Sequence, residues 1–207
     1  MKKILFILWC VVLFGDHILV AQEYNKTDSK GRRQGLWTDF YPNGQKRYEG
    51  KFKNDKCTGE FKYYDEKGNL KATNVFDKTG TKATNKTYAP NGTMVATGTY
   101  LNQKKEGEWR YYSEENGTLL LVEENHEGQP HGNSTLYYET GVVMMERKFC
   151  KGLLEGHSKT YYPSGALKEE GDYRQGNKAG VWKAYNQDGD IVSTENFTAP
   201  ELQGFER

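Results

Sequence analysis

A chain of 207 residues that is 35% hydrophobic and 28% charged is lean for a compact core. Its 14% aromatic content, with 15 Tyr, 9 Phe and 23 Gly, excludes a disordered polymer and fits thin β-structure broken by turns. The formal charge of +1 excludes a global pull toward nucleic acid, and without the first 21 residues the charges balance at 27 and 27, which reads as a mixed, solvated surface.

The chain opens with Lys2 and Lys3, an apolar run over Ile4–Phe14, and Val20-Ala21-Gln22. This order predicts a cleavable signal peptide over residues 1–21 and hence export. The run is shorter than the roughly 20 residues of a membrane span. Cys10 follows Trp9 where a lipidation site needs a small residue, so no lipid anchor is expected. Residues 22–34 form a polar leader that reads as flexible, and residues 198–207 a C-terminal tail.

From residue 35 to 197 the chain repeats. Turn glycines fall at Gly44, Gly68, Gly92, Gly117, Gly141, Gly165 and Gly189, spaced by 24 residues, once by 25. Pro-Asn, Glu-Lys or similar pairs precede them, which is turn chemistry. Nine residues earlier stand Gly35, Gly59, Ala83, Gly132, Gly156 and Gly180; in the fourth copy Gly107 lies ten earlier, because its turn holds one more residue. Two residues after these starts come Trp37, Phe61, Asn85, Trp109, Ser134, Ser158 and Trp182. The second segment is apolar two and eight residues past the turn, as at Leu70 and Phe76 or Leu167 and Tyr173, in six of seven copies at each position, Lys46 and Asn125 being the exceptions. Even offsets put both on one face of a strand. A second turn follows, as at Asn54-Asp55 or Lys151-Gly152. The expectation is an all-β chain: an elongated antiparallel meander of about seven 24-residue β-hairpin repeats, some 14 strands, in a single layer roughly 60–70 Å long.

Gly-x-Trp-x-x-(Phe/Tyr)-Tyr-x-x-Gly, best carried by Gly35–Gly44, Gly107–Gly117, Gly156–Gly165 and Gly180–Gly189, resembles the MORN repeat. It is closest to the bacterial variant found in proteins of the YwqK-type antitoxin family. The resemblance implies a one-layer hairpin array used for binding, with no catalytic residues and an antitoxin-like association. Copies with Asn85, Ser134 or Ser158 at the Trp place are expected to pack less well.

No reaction chemistry is legible. His126, His131 and His157 fall in no metal-ligand spacing, and the last two read as turn residues. Glu123-Glu124 and Glu169-Glu170 are adjacent and so face opposite sides of a strand. Cys57 and Cys150 lie almost four copies apart, too far to bridge. Neither enzyme activity nor a metal or other cofactor is expected. What remains is surface. Most aromatic rings are expected to pack as a ladder, while rings left out of it offer a binding surface. Trp37, Tyr41, Tyr63, Trp109, Tyr111, Tyr138, Tyr162 and Trp182 are the candidates. The partner expected is a protein, with a glycan as the alternative. Nucleic acid is not expected, nor membrane binding beyond the signal segment.

Overall fold

The computed structural model describes residues 24–197; the expected signal peptide and the C-terminal tail lie outside the described residues. One antiparallel sheet holds everything. Its strands are β1 (Lys26–Thr27), β2 (Arg33–Phe40), β3 (Lys46–Lys53), β4 (Lys56–Tyr64), β5 (Leu70–Phe76), β6 (Lys82–Tyr88), β7 (Met94–Leu101) and β8 (Lys104–Tyr112). Then follow β9 (Leu119–His126), β10 (Gln129–Tyr137), β11 (Val143–Cys150), β12 (Leu153–Leu154), β13 (Gly156–Tyr161), β14 (Leu167–Arg174), β15 (Asn177–Tyr185) and β16 (Ile191–Phe197). Each long strand pairs with its sequence neighbours, so order along the chain is order in space. The fourteen long strands are the seven hairpins that the sequence predicts. The two short ones differ from expectation: β12 is a two-residue piece beside β11, and β1 arises in the polar stretch ahead of the first copy, pairing Lys26 with Gln34.

Two kinds of turn set the register. On one edge, turn glycines such as Gly44 (φ 82°) take the left-handed conformation and return an N–H to the carbonyl three residues back, Tyr41 in that case. Gly117 reaches back four residues, to Ser113, which is the extra residue of the fourth copy made visible. On the other edge, pairs such as Asn54-Asp55 (φ 52° and 64°) and Lys151-Gly152 (φ 50° and 81°) make tight two-residue hairpins with both φ positive.

Most start glycines do not begin strands. Only Gly156 does, opening β13; Gly59, Gly107, Gly132 and Gly180 sit inside strands, at bulges. In β8, Gly107, Glu108 and Trp109 stand opposite the single residue Gly98, between the pairs Thr99–Glu106 and Thr97–Arg110. Gly107 (φ 68°) supplies the turn in the backbone that aims Trp109 across the neighbouring strand. The indole lies flat on Gly98, where any Cβ would overlap the ring. Its Nε1–H donates to the Thr99 carbonyl at 3.1 Å. Phe61 covers Gly50 and Trp182 covers Gly171 in the same way, and Trp182 donates to the Asp172 carbonyl at 3.0 Å. A single-layer sheet has no second layer to bury against, so these crossings supply its core: Phe61, Trp109 and Trp182 are 1%, 2% and 5% exposed.

The other junctions correct the expectation of poor packing. Where the preceding strand carries a side chain instead of glycine, the covering residue is small. Asn85 Nδ2 donates to Asn74 Oδ1 at 2.7 Å, Glu123 pairs with Ser134, and Ser158 follows Arg147 at the same spacing. Asn85, Ser134 and Ser158 are all buried, and Ser158 Oγ donates to the Glu146 carbonyl. Each junction is filled either by a ring over bare backbone or by two smaller or polar side chains, and the covering residue is buried in both cases. The Ala83 copy is the regular one: β5 and β6 pair without a register shift.

Gly98→Val should therefore cost roughly 1–3 kcal/mol by overpacking, and Trp109→Ala about 3–5 kcal/mol by leaving a cavity. The double variant Gly98→Asn/Trp109→Asn, which copies the Asn74–Asn85 junction, should lose less than the sum of its single variants. Urea melts followed by circular dichroism measure that coupling; strict additivity would refute the size-matching account.

Candidate functional site

The sheet has two unlike faces. One carries the rings, in three clusters. Trp37, Tyr48, Phe52, Phe61, Tyr63 and Phe76 form the first, with Phe52–Phe61 centroids 5.1 Å apart and nearly perpendicular. Tyr100, Trp109 and Tyr111 form the second, and Tyr173, Trp182 and Phe197 the third. The Asn74–Asn85 and Glu123–Ser134 junctions interrupt the ladder between them. Cations cover the ring faces: Arg33 lies 3.8 Å from the Phe52 centroid, Lys105 4.8 Å from Trp109 and Lys178 3.9 Å from Trp182. Each stands two residues before a bulge glycine. Cys57 holds that place in the second copy, half-buried, and burial pushes its thiol up from the ordinary range. Cys57 on β4 and Cys150 on β11 are free thiols.

The opposite face is polar and cross-linked. Tyr64, Tyr161 and Tyr185 donate to Glu49, Glu146 and Glu170 of the preceding copies at 2.7–2.8 Å. Burial, followed by the carboxylate hydrogen bond, pushes Tyr64 and Tyr161 up to about 12. The Lys46 ammonium and then the Tyr64 hydroxyl hold Glu49 below the usual carboxylate range; the Tyr185 hydroxyl and then His157 do the same for Glu170. His157, in β13 and not in a turn, bridges Asp172 (3.0 Å) and Glu170 (3.3 Å). His131 accepts the Lys151 amide, and Glu106 and Glu155 likewise accept the Glu127 and Gln175 amides of the next tight turn.

The eight candidate aromatics fall into this scheme as follows. Trp109 and Trp182 are buried, which corrects their reading as binding residues: the sheet consumes their faces, and cations cover what is left. Trp37 is half-buried against Phe52 and donates to the Lys26 carbonyl. Tyr63 stacks between Tyr48 and Phe61, and Tyr111 accepts Lys105 Nζ at 2.6 Å. Tyr41, Tyr138 and Tyr162 line the turn edge, each donating to a carbonyl of the next copy, that of Tyr64, Tyr161 or Tyr185. The structure does not gather the eight into one surface. The covered glycines Gly50, Gly98 and Gly171 escaped the sequence reading. Their signal was there: a glycine eleven residues before each bulge-borne Phe or Trp, and a side-chain-bearing residue at the same distance before Asn85, Ser134 and Ser158.

The field is not bland either. Residues 24–106 carry 17 basic and 9 acidic side chains, and residues 107–197 carry 9 and 15. Linear order in space turns that into a basic half and an acidic half. Among the described residues no group of three His, Cys, Asp or Glu side chains is placed to hold a metal ion, and no helix is long and apolar enough to cross a membrane.

The MORN repeat variant profile matches residues 33–54, 58–78, 130–151 and 154–175. The chain is thus a protein of the MORN repeat variant family. The matched segments are the first, second, fifth and sixth hairpins; the third, fourth and seventh share their strand geometry. No curated protein matches the chain.

The tyrosine–carboxylate bonds set the pH response. A phenol whose folded pKa is raised stabilises fully below its unfolded value near 10, and that stability is lost as pH rises through about 12. Depressed carboxylates such as Glu49 and Glu170 stabilise fully above an unfolded value of about 4.3, and lose it as pH falls through their lowered folded values. Absorbance titration at 295 nm should show Tyr64 and Tyr161 ionising late, with Glu49→Gln bringing Tyr64 only part of the way down, since burial is the larger cause. A full return on Glu49→Gln would contradict that ranking.

Proposed function

We propose that this MORN-repeat array is a non-enzymatic scaffold that binds another protein through the surface of its sheet, in the bacterial cell envelope or outside the cell. One observation carries the reading. The side chains that recur from copy to copy are spent on junctions: rings on glycines, tyrosine hydroxyls on carboxylates and carbonyls, caps on turn amides. The exposed positions vary between copies, and a long sheet of unlike hairpins offers extended, position-specific contact area. The polarised charge along its axis adds orientation to such a contact. Export rests on the basic, apolar and Val-Ala-Gln start. An exported chain is poorly placed to neutralise a cytoplasmic toxin, so the antitoxin association is not carried into this reading. Glycan stacking needs exposed rings, and the burial of Trp109 and Trp182 removes its two strongest anchors.

Chemical cross-linking in cells should trap a discrete heteromeric product that contains a second polypeptide, from an envelope or secreted fraction. The mature chain should begin at Gln22 when its N-terminus is sequenced. Recovery of glycan alone, or an uncleaved chain in the cytoplasm, would overturn the corresponding part of the proposal.

A further inference from the structure

The third hairpin departs from the others in several ways at once, and the departures meet on one face. Ala83 replaces the bulge glycine, and β5, β6 and β7 pair in regular register over most of their length, with one shift beside Tyr88. On the face opposite the rings, Val75 lies across from Thr84, Thr84 from Thr99, and Leu101 from both Lys82 and Lys104. Lys86 lies between Thr73 and Thr97. Val75 and Leu101 are 51% and 39% exposed. Lys82, Lys86 and Lys104 are exposed and have no ion-pair partner among the described residues. No acidic residue occurs between Asp77 and Glu106. Both of these flanking carboxylates are occupied, Asp77 by its own turn amides and Glu106 by His126 and the Glu127 amide.

The sixth hairpin shows what the same places hold when the face is closed. Thr84, Thr97 and Thr99 of the third copy correspond to His157, Glu170 and Asp172, which bond to one another. In the third copy all three are threonines, and among the described residues no carboxylate forms an ion pair with the lysines; Glu60, across from Val75, pairs with Lys62. The result is a strip in which three cations without an ion-pair partner among the described residues surround two exposed aliphatic side chains.

We infer that this face of the third hairpin is the contact site for the partner, and that it takes an acidic polypeptide segment with aliphatic side chains between its carboxylates. The inference rests on the scaffold reading above. Charge complementarity selects an anionic occupant. Val75 and Leu101 select one with apolar groups among the charges, which a phosphodiester backbone lacks. They lie on strand faces between lysines and are no more than about half exposed, so they offer a lipid surface no projecting anchor.

Fluorescence anisotropy with a labelled alternating Glu-Leu peptide tests it, on the mature chain at low and moderate salt. The peptide should bind, more weakly as salt rises, and the triple variant Lys82→Glu/Lys86→Glu/Lys104→Glu should weaken it at least tenfold. The control Lys148→Glu/Lys159→Glu/Lys183→Glu, on the acidic half, should bind as wild type does. Val75→Ser/Leu101→Ser should weaken the Glu-Leu peptide and leave an alternating Glu-Ser peptide unchanged. Circular dichroism confirms that each variant is folded; if the triple variant is not, the milder Lys86→Gln/Lys104→Gln replaces it, with severalfold loss expected. Absent binding, equal loss in both triples, or binding of phosphatidylglycerol vesicles or single-stranded DNA that the peptide fails to displace would each overturn the inference. A polypeptide cross-linked equally to wild type and to the third-hairpin triple would overturn it while leaving the scaffold reading standing; no cross-linked polypeptide would remove that reading itself.

Discussion

The fold depends on a ring from one hairpin lying on the bare backbone of the hairpin before it. A single-layer sheet exposes both faces to water, and burial of apolar area is what stabilises folded chains. Trp109 on Gly98, Phe61 on Gly50 and Trp182 on Gly171 supply that burial without a second layer. Every part of the junction serves the contact. The glycine beneath removes the Cβ that would hold the ring off, and the bulge glycine swings the ring across. In the two tryptophan junctions the indole N–H satisfies a backbone carbonyl and a lysine covers the outer face.

The same constraint explains the imperfect copies. A junction must be filled, and Asn74 with Asn85 or Glu123 with Ser134 fill it with polar atoms in place of a ring. No buried side-chain nitrogen or oxygen among the described residues lacks a hydrogen-bond partner, so these junctions are satisfied and not broken. Polar junctions divide the ring ladder into three clusters. Since each long strand pairs only with its sequence neighbours, stability is built junction by junction, as in other linear arrays.

Function is displaced by this economy onto what is left. Residues that look like anchors in a sequence, the tryptophans above all, are the ones the sheet has already used. The tyrosines at the turn edge are held by carbonyls, and those on the polar face by carboxylates. Free chemistry survives where a copy omits a cross-link, and the third hairpin omits the most: its bulge, its ring and its carboxylates.

The sequence alone determined the repeat length, the strand count, the two turn edges and which residues share a strand face, because turn glycines and period-2 patterning are local properties of backbone geometry. It placed the extra residue of the fourth copy correctly, and it separated Cys57 from Cys150. Tertiary structure decided three things. It placed Gly59, Gly107, Gly132 and Gly180 inside strands, since a bulge is defined only against the strand it faces. It decided that Trp109 and Trp182 are core while Asn85 and Ser134 are equally well buried, since burial depends on a residue eleven positions earlier and one strand away. And it turned a balanced charge count into a basic half and an acidic half, because strand order fixes where each charge stands.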